Sequence, residues 1–409
     1  MFYFLLSILT IYFISLYNYA VKNTWEHITF MEKWALSEKT VNLLGQCFAY
    51  VNAMLKIPIR PDYRDKMHSV SLKKGALATT AIEGNTLTED DFDLIQNGVD
   101  LEPSRRYLQK EVENVLTAFN TIFKELVWEK NPHFISPELI RRFHEMIGRD
   151  IGIAFNANPG HFRRQNVIVG IAYRPPGFEQ IDILVQKLCD WLYRIFHYNQ
   201  GQNFDEAVIQ AIVTHVYIAW IHPFMDGNGR TARLLEFYLL LRAGIPSYAS
   251  HILSNHYNDT RTIYYKQLEE STKTGDLSNF IQYALEGFRD GLEIVLNVIH
   301  QGQMELTWNN YINDMIEKIE GKNKNTLRRL RNLAYEIPSN RFLSLDEILI
   351  LSAGIAEEYR KLNPITLRRD LDLLVEKDLL KMEKSKYRAN HELLHNFMSE
   401  ASISIKRHY

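Results

Sequence analysis

The chain of 409 residues predicts a mainly α fold, and three observations carry that expectation. Apolar residues recur at helical spacing through most of its length. The breaks between these stretches carry the cap and stop signals of helix ends. Strand-like alternation is confined to two short stretches, near residues 166–169 and 379–387.

The element most clearly written is Phe204–Ile221, with Val208, Ile212, Val216 and Ala219 on one stripe. Asn203 is placed to cap it, and Asp205 and Glu206 suit a first turn, where the helix dipole favours acids. Thr231–Ala243 reads as a second helix that stops at Gly244, with Pro246 beyond. Farther on, Leu285–His300 is apolar, and the charged stretch Glu317–Arg331 reads as a connecting helix. Ser344 and Glu347 form a capping box. Asn363-Pro364 supplies a cap and an N1 proline for a helix with Leu367, Leu371 and Leu374 on one face. Leu379–Tyr387 then reads as a two-stranded wing.

Composition bounds the function. The formal net charge of −2 gives no global field to attract nucleic acid, so any such binding needs a local patch. Cys47 and Cys189 lie far apart, which points to a reducing compartment and a cytoplasmic protein. Residues 1–21 carry no charge and are long enough to span a bilayer, which takes ~20 apolar residues. They lack a basic leader and a small-residue cleavage site. Three readings stand for them: a membrane anchor, an amphipathic packing helix, or a start assigned upstream of Met31.

Between the two best helices lies the run His222-Pro223-Phe224-Met225-Asp226-Gly227-Asn228-Gly229-Arg230-Thr231-Ala232-Arg233. Its glycines fall at a helix N-terminus, where unpaired N–H groups and the dipole attract anions, and a missing Cβ lets a polyphosphate approach. Asp226 is placed to hold the Mg²⁺ that accompanies such a phosphate. Arg230 and Arg233, three apart, suit bidentate phosphate contacts. His222 is a proton acceptor at neutral pH.

This run resembles the signature of the Fic (filamentation induced by cAMP) domain family, and every fixed position is present. The resemblance implies a protein adenylyltransferase that moves AMP from ATP to a Ser, Thr or Tyr hydroxyl of a target protein or of itself. It implies His222 as the base, Asp226 as the Mg²⁺ residue, and Gly227, Asn228 and Gly229 as an anion nest. Arg230 would contact phosphate and Arg233 the γ-phosphate. The loop differs from that of the related Doc-type kinases, which favours nucleotidyl transfer over phosphorylation.

Three further stretches fit the resemblance. Thr79-Thr80-Ala81-Ile82-Glu83-Gly84-Asn85 resembles the family's inhibitory motif, in which Glu83 would pair with Arg233 and misalign ATP. In the family the same glutamate can orient a water that removes AMP. The physical argument is separate: a bidentate pair would occupy the guanidinium, and misplacement by about 1 Å can cost ~10²-fold in rate. Read without the family, Glu83 is a solvated residue at a helix C-terminus. Asn166, Val167, Ile168 and Val169 match a β-hairpin flap that pairs with a target's extended main chain. Tyr264 and Tyr265 resemble a stretch beside the adenine and ribose, although two tyrosines on an apolar helix also suit a core. Ser271-Thr272 stands where many relatives have an Asn that touches the nucleotide, which leaves a donor other than ATP open. His215 reads as a core histidine, and His161 has no role.

The C-terminal part resembles a winged helix-turn-helix of the DeoR-like kind, through Thr366-Leu367-Arg368-Arg369-Asp370-Leu371. Thr366, Arg368 and Arg369 would face a DNA major groove, with Lys381, Lys384 and Lys386 on phosphates. Nearby Asp370, Asp372, Glu376 and Asp378 keep the patch from being strongly basic, and such folds also serve as protein-docking or dimerisation modules, so both readings stand. The expected organisation is an apolar segment 1–30, a helical region 31–130 with the motif 79–85, a Fic core 131–300, a connecting helix 301–335, a winged helix 336–395 and a tail 396–409. The whole reads as an autoinhibited, homo-oligomeric protein adenylyltransferase. The rival is a DNA-binding regulator whose Fic-like site senses nucleotide without transfer.

Overall fold

The computed structural model describes residues 25–97, 99, 101–170, 173–196 and 203–394. The segment 1–21 lies outside them. The chain divides into two compact units, residues 1–296 and 297–409.

The first unit is helical: α1 Glu38–Lys56, α2 Pro61–Ala81, α3 Glu89–Gln96, α4 Arg106–Phe123, α5 Pro137–Gly148, α6 Ile181–Ile195, α7 Phe204–Ile221, α8 Asn228–Arg242, α9 Ile252–Asp259, α10 Arg261–Thr274 and α11 Ser278–Glu317. Local signals set the starts. Ser37 and Ser136 accept backbone N–H groups at the heads of α1 and α5, Pro61 and Pro137 take the first turns of α2 and α5, and Thr88 with Asp91 boxes α3. Asn203 holds the cap position of α7 but makes no capping hydrogen bond.

At the centre, α7 and α8 run antiparallel and are buried nearly all round. That burial explains the apolar length of α7, which by composition alone suits a membrane span. Helices α4, α5 and α6 pack on this pair, and α2 packs on α4, α8 and α9. The boundary expected at residue 130 is therefore no seam, since α2 and α4 belong to the same core as the central pair. Residues before Met31 join it too: His27 and Ile28 are buried, and the His27 ring meets Trp220 edge-on with centroids 4.7 Å apart. Cys47 and Cys189 are buried and free.

The second unit takes the end of α11 and adds α12 Lys324–Glu336, α13 Leu345–Leu349, α14 Ala353–Arg360, α15 Ile365–Glu376, β1 Leu380–Glu383 and β2 Lys386–Ala389. Here the expected connecting helix is corrected. The boundary at residue 300 falls inside continuous α11, and the charged stretch breaks at Gly321, which has φ +74°. Leu330, Leu333 and Ala334 of α12 are core residues, because the charges of that stretch occupy the helix's other faces. The Ser344–Glu347 capping box forms, and Asn363 Oδ1 accepts the Ile365 N–H at 3.0 Å. The strands pair antiparallel, Leu380 opposite Ala389 and Glu383 opposite Lys386, around Lys384-Ser385, both at positive φ as a two-residue hairpin turn requires.

A buried ion pair organises this unit. Arg329 Nε donates to Asp370 Oδ2 at 2.6 Å, and the Tyr359 hydroxyl donates to the same oxygen at 2.9 Å. Removing one partner strands the other, so Asp370→Asn is expected to cost ~2 kcal/mol. Chemical unfolding of the full chain, followed in its C-terminal transition, checks this; a midpoint equal to wild type contradicts it.

Candidate active site

The site begins where α7 ends. His222 follows Ile221 in the left-handed conformation, φ 51° and ψ 59°, its N–H donating to Ile218 O at 2.9 Å. A non-glycine residue here costs roughly 1–2 kcal/mol, so the surroundings must hold it. The turn aims the chain back over α8. His222 Nδ1 faces Ala219 O at 3.4 Å; a carbonyl only accepts, so Nδ1 carries the proton and Nε2 keeps its lone pair. Burial, with the charge of Arg163, lowers the His222 pKa to about 4, against the opposing pull of the Ala219 carbonyl, Glu83 and Asp226. The imidazole is neutral at physiological pH.

The loop is closed by its own residues. Asn228 Oδ1 accepts the Phe224 N–H and its Nδ2 donates to Phe224 O, both at 2.9 Å. The Asn228 side chain thus braces the loop, leaving only its backbone for an anion. Gly227 sits at φ +78°, and a Cβ there would lie 2.9 Å from Phe155 Cζ. That ring is wedged from the other side by Gly148, where a Cβ would come within 2.4 Å of it. His144, fully buried, accepts the Gly160 N–H on Nδ1 at 2.9 Å, so its Nε2–H donates to Asp226 O at 2.9 Å. It also stacks on Phe224 with centroids 3.6 Å apart.

Charges fill the rest. Asp226 Oδ1 accepts from Arg230 Nη2 at 2.9 Å, and Oδ2 accepts the Asn156 N–H at 3.2 Å. Arg230 also pairs through Nη1 with Glu111 of α4 at 2.5 Å and lies over the Phe155 ring. Two carboxylates therefore engage Arg230, the expected phosphate ligand. Asn85 donates to the other oxygen of Glu111 at 2.9 Å.

Arg233 is fully buried on the first turns of α8. Its Nη2 donates to Thr79 O at 2.9 Å and to Glu83 Oε1 at 2.5 Å, while Nε and Nη1 have no hydrogen-bond partner among the described residues. Glu83 follows α2 and its side chain is 33% exposed. A Cβ on Gly229 would stand 2.1 Å from Glu83 Oε1. The carboxylate thus lies directly over the N-terminus of α8, in the seat an anion would take. Burial raises its pKa, but the charge and hydrogen bond of Arg233, with the charge of Arg230, bring it below the usual carboxylate range.

The tyrosines separate. Tyr264 is buried, and its hydroxyl meets His215 Nε2 at 2.9 Å. His215 Nδ1 lies 2.9 Å from Glu236, which also accepts from the Tyr257 hydroxyl. So His215 is a core histidine, as expected, and Tyr264 is a core tyrosine rather than a surface for a purine. Tyr265 is 45% exposed; its hydroxyl donates to Ile82 O at 3.3 Å, one residue before Glu83. In the flap, Val169 and Tyr173 form an isolated antiparallel bridge, residues 171–172 lying outside the described set. Asn166 accepts the N–H of Phe178, in the short helical turn Phe178–Gln180 before α6, at 3.1 Å, while Ile168 is exposed. The His161 ring meets Pro159 O at 2.9 Å.

Residues 134–240, which hold the loop, α5 and most of α8, match the Fic/DOC family. They are a Fic domain. Relatives extend the likeness beyond it. The chain is 24% identical over 281 residues to protein adenylyltransferase fic-1 of Caenorhabditis elegans, covering 64% of this chain and 52% of that one. Against protein adenylyltransferase Fic of Culex quinquefasciatus it is 30% identical over 220 residues, covering 53% and 40%. The chain spans about half or less of the length of these curated relatives. A Fic family protein from Desulfovibrio desulfuricans shares the fold at TM-score 0.54 and 17% identity, covering 88% of this chain and 98% of that one. Fic-1 of C. elegans does so at TM-score 0.53 and 21%, covering 64% and 73%.

Glu111, Phe155 and His144 support the Fic loop, yet none stands in a motif. They come from separate elements, and only the fold brings them together. The loop's tightness gives a direct test. Gly227→Ala adds a Cβ both at positive φ and against a wedged ring, so a loss of ~1–3 kcal/mol is expected. A thermal melt unchanged from wild type would contradict it.

Proposed function

We propose that the chain is an autoinhibited protein adenylyltransferase, transferring AMP from ATP to a hydroxyl side chain of a target protein. The observation that carries this is Glu83: its carboxylate contacts Arg233 at 2.5 Å and occupies the seat over Gly229 where a phosphate would bind. The names of the curated relatives support the same activity.

In this reading the His222 Nε2 lone pair accepts the hydroxyl proton as the hydroxyl oxygen attacks the α-phosphorus. The bond from that phosphorus to the bridging oxygen breaks, and pyrophosphate leaves with the electron pair. The N-terminus of α8 and the freed Arg233 hold the polyphosphate. Asp226 fits a metal carried in by that polyphosphate rather than a resident one. Its Oδ2 holds a single backbone N–H, and the described residues contain no cluster of three metal-ligating side chains. Mg²⁺ held by Asp226 would offset phosphate charge. With Glu83 in place, ATP meets a carboxylate where its γ-phosphate should sit. The same carboxylate could orient a water for removal of AMP.

With α-labelled ATP and Mg²⁺, Glu83→Gly is expected to label protein at least ~10²-fold faster than wild type. Adding His222→Ala should abolish labelling, and wild type, unlike Glu83→Gly, should strip the label. The base must be neutral, so the rate should hold from pH 8 to about 5 and fall as His222 protonates near its pKa of about 4. A silent Glu83→Gly that still binds ATP would sink the transferase reading.

A second reading concerns the C-terminal unit, read as a winged helix that binds DNA. Asp370, which tempers the basic face in the sequence, points inward to Arg329 and Tyr359. Arg368 and Arg369 stay exposed on α15, while Thr366 is half-buried. Lys381 is paired with Glu392, leaving Lys384 and Lys386 at the hairpin tip. Counterion release makes affinity for duplex DNA fall steeply between about 50 and 200 mM salt. Arg368→Ala/Arg369→Ala should flatten that slope; an affinity indifferent to salt would favour a protein-docking role.

A further inference from the structure

Arg163, between α5 and α6, is 2% exposed and forms no ion pair among the described residues. A buried guanidinium persists only when its N–H groups are matched. Here each of its three nitrogens donates to a main-chain carbonyl. Nε donates to His222 O at 2.8 Å, Nη1 to Gln165 O at 2.8 Å and Nη2 to Pro176 O at 2.5 Å. Its own N–H donates to Pro223 O at 2.8 Å.

These acceptors are not a random set. Gln165 precedes the flap and Pro176 follows it, so one planar fork grips both ends of the flap. The remaining acceptors are His222, in its left-handed turn, and the residue after it. A planar fork holds several acceptors in fixed relation, which a flexible ammonium does not. We propose that Arg163 is the positioning residue of this site, locking the His222 main chain and the target-docking flap into a single register. A hydroxyl presented by a strand on the flap is thereby brought to Nε2 at a set distance. This rests on His222 as the base and on the flap as the docking edge.

Electrostatics agree. The groups facing the His222 imidazole are the Arg163 cation, the Ala219 carbonyl, Glu83 and Asp226, and of these Arg163 favours the neutral ring. Geometry and charge are separable, because lysine keeps the charge and loses the fork.

The test uses the full chain carrying Glu83→Gly, with Arg163→Met or Arg163→Lys added. Three quantities are read: the rate of automodification from α-labelled ATP, the affinity for a fluorescent ATP analogue, and the His222 titration by NMR of ¹³C-labelled histidine, assigned with His222→Ala. Both variants should transfer ~10²-fold more slowly, with nucleotide affinity held within about threefold. The His222 titration should move up in Arg163→Met and stay in Arg163→Lys. Transfer within about threefold of the parent in either folded variant overturns the proposal, as does an affinity that falls in step with rate. Loss of cooperative melting in both variants would make Arg163 structural only and overturn it too. Should the Glu83→Gly parent fail to transfer at all, the adenylyltransferase reading fails, and the titration alone decides: an unmoved His222 in Arg163→Met overturns the positioning role of Arg163.

Discussion

A fully buried guanidinium beside the open end of a helix needs a negative partner, and the site is built around that need. Arg233 lies in the first turns of α8, where the dipole and free N–H groups add to its own charge. In the described state Glu83 supplies the anion, arriving from the turn after α2, 150 residues earlier in the chain. The surrounding charges keep that place clear for it: Arg230 is held aside by Glu111 and Asp226, and Asp226 by Arg230 and the Asn156 N–H. What can replace Glu83 must be at least as anionic and must accept from the same N–H groups.

The parts of this site that could be read in the sequence are those that are contiguous. His222 through Arg233 form one loop and one helical start, so their spacing alone assigns places to base, cradle and guanidiniums. Glu83 is legible only through the resemblance of its stretch to a family motif, since by its local sequence it is a solvated residue beyond a helix end. Residues that act through tertiary packing carry no such mark. Arg163 and Arg164 are adjacent and chemically identical, yet one is buried on three carbonyls and the other pairs with Asp182 in solvent. Tyr264 and Tyr265 differ in the same way. Which of two neighbours faces inward depends on the phase of a helix or loop against partners the local sequence does not contain.

Fold boundaries follow the same logic. The run of charges between Glu317 and Arg331 reads as a connecting helix, but Leu327, Leu330 and Leu333 need only one stripe to reach a core. Local capping survives better, since a box such as Ser344–Glu347 is complete within four residues.

One side chain stands at a crossing of two events. With the Tyr264 hydroxyl committed to His215, Tyr265 is the aromatic of that pair left open to solvent, and its hydroxyl already holds Ile82 O, one peptide from Glu83. Any planar base that turned the Tyr265 ring would loosen the tether of the very segment that delivers the carboxylate. A ligand too small to touch Tyr265 would leave that hydrogen bond, and the Glu83–Arg233 contact one peptide away, as they stand.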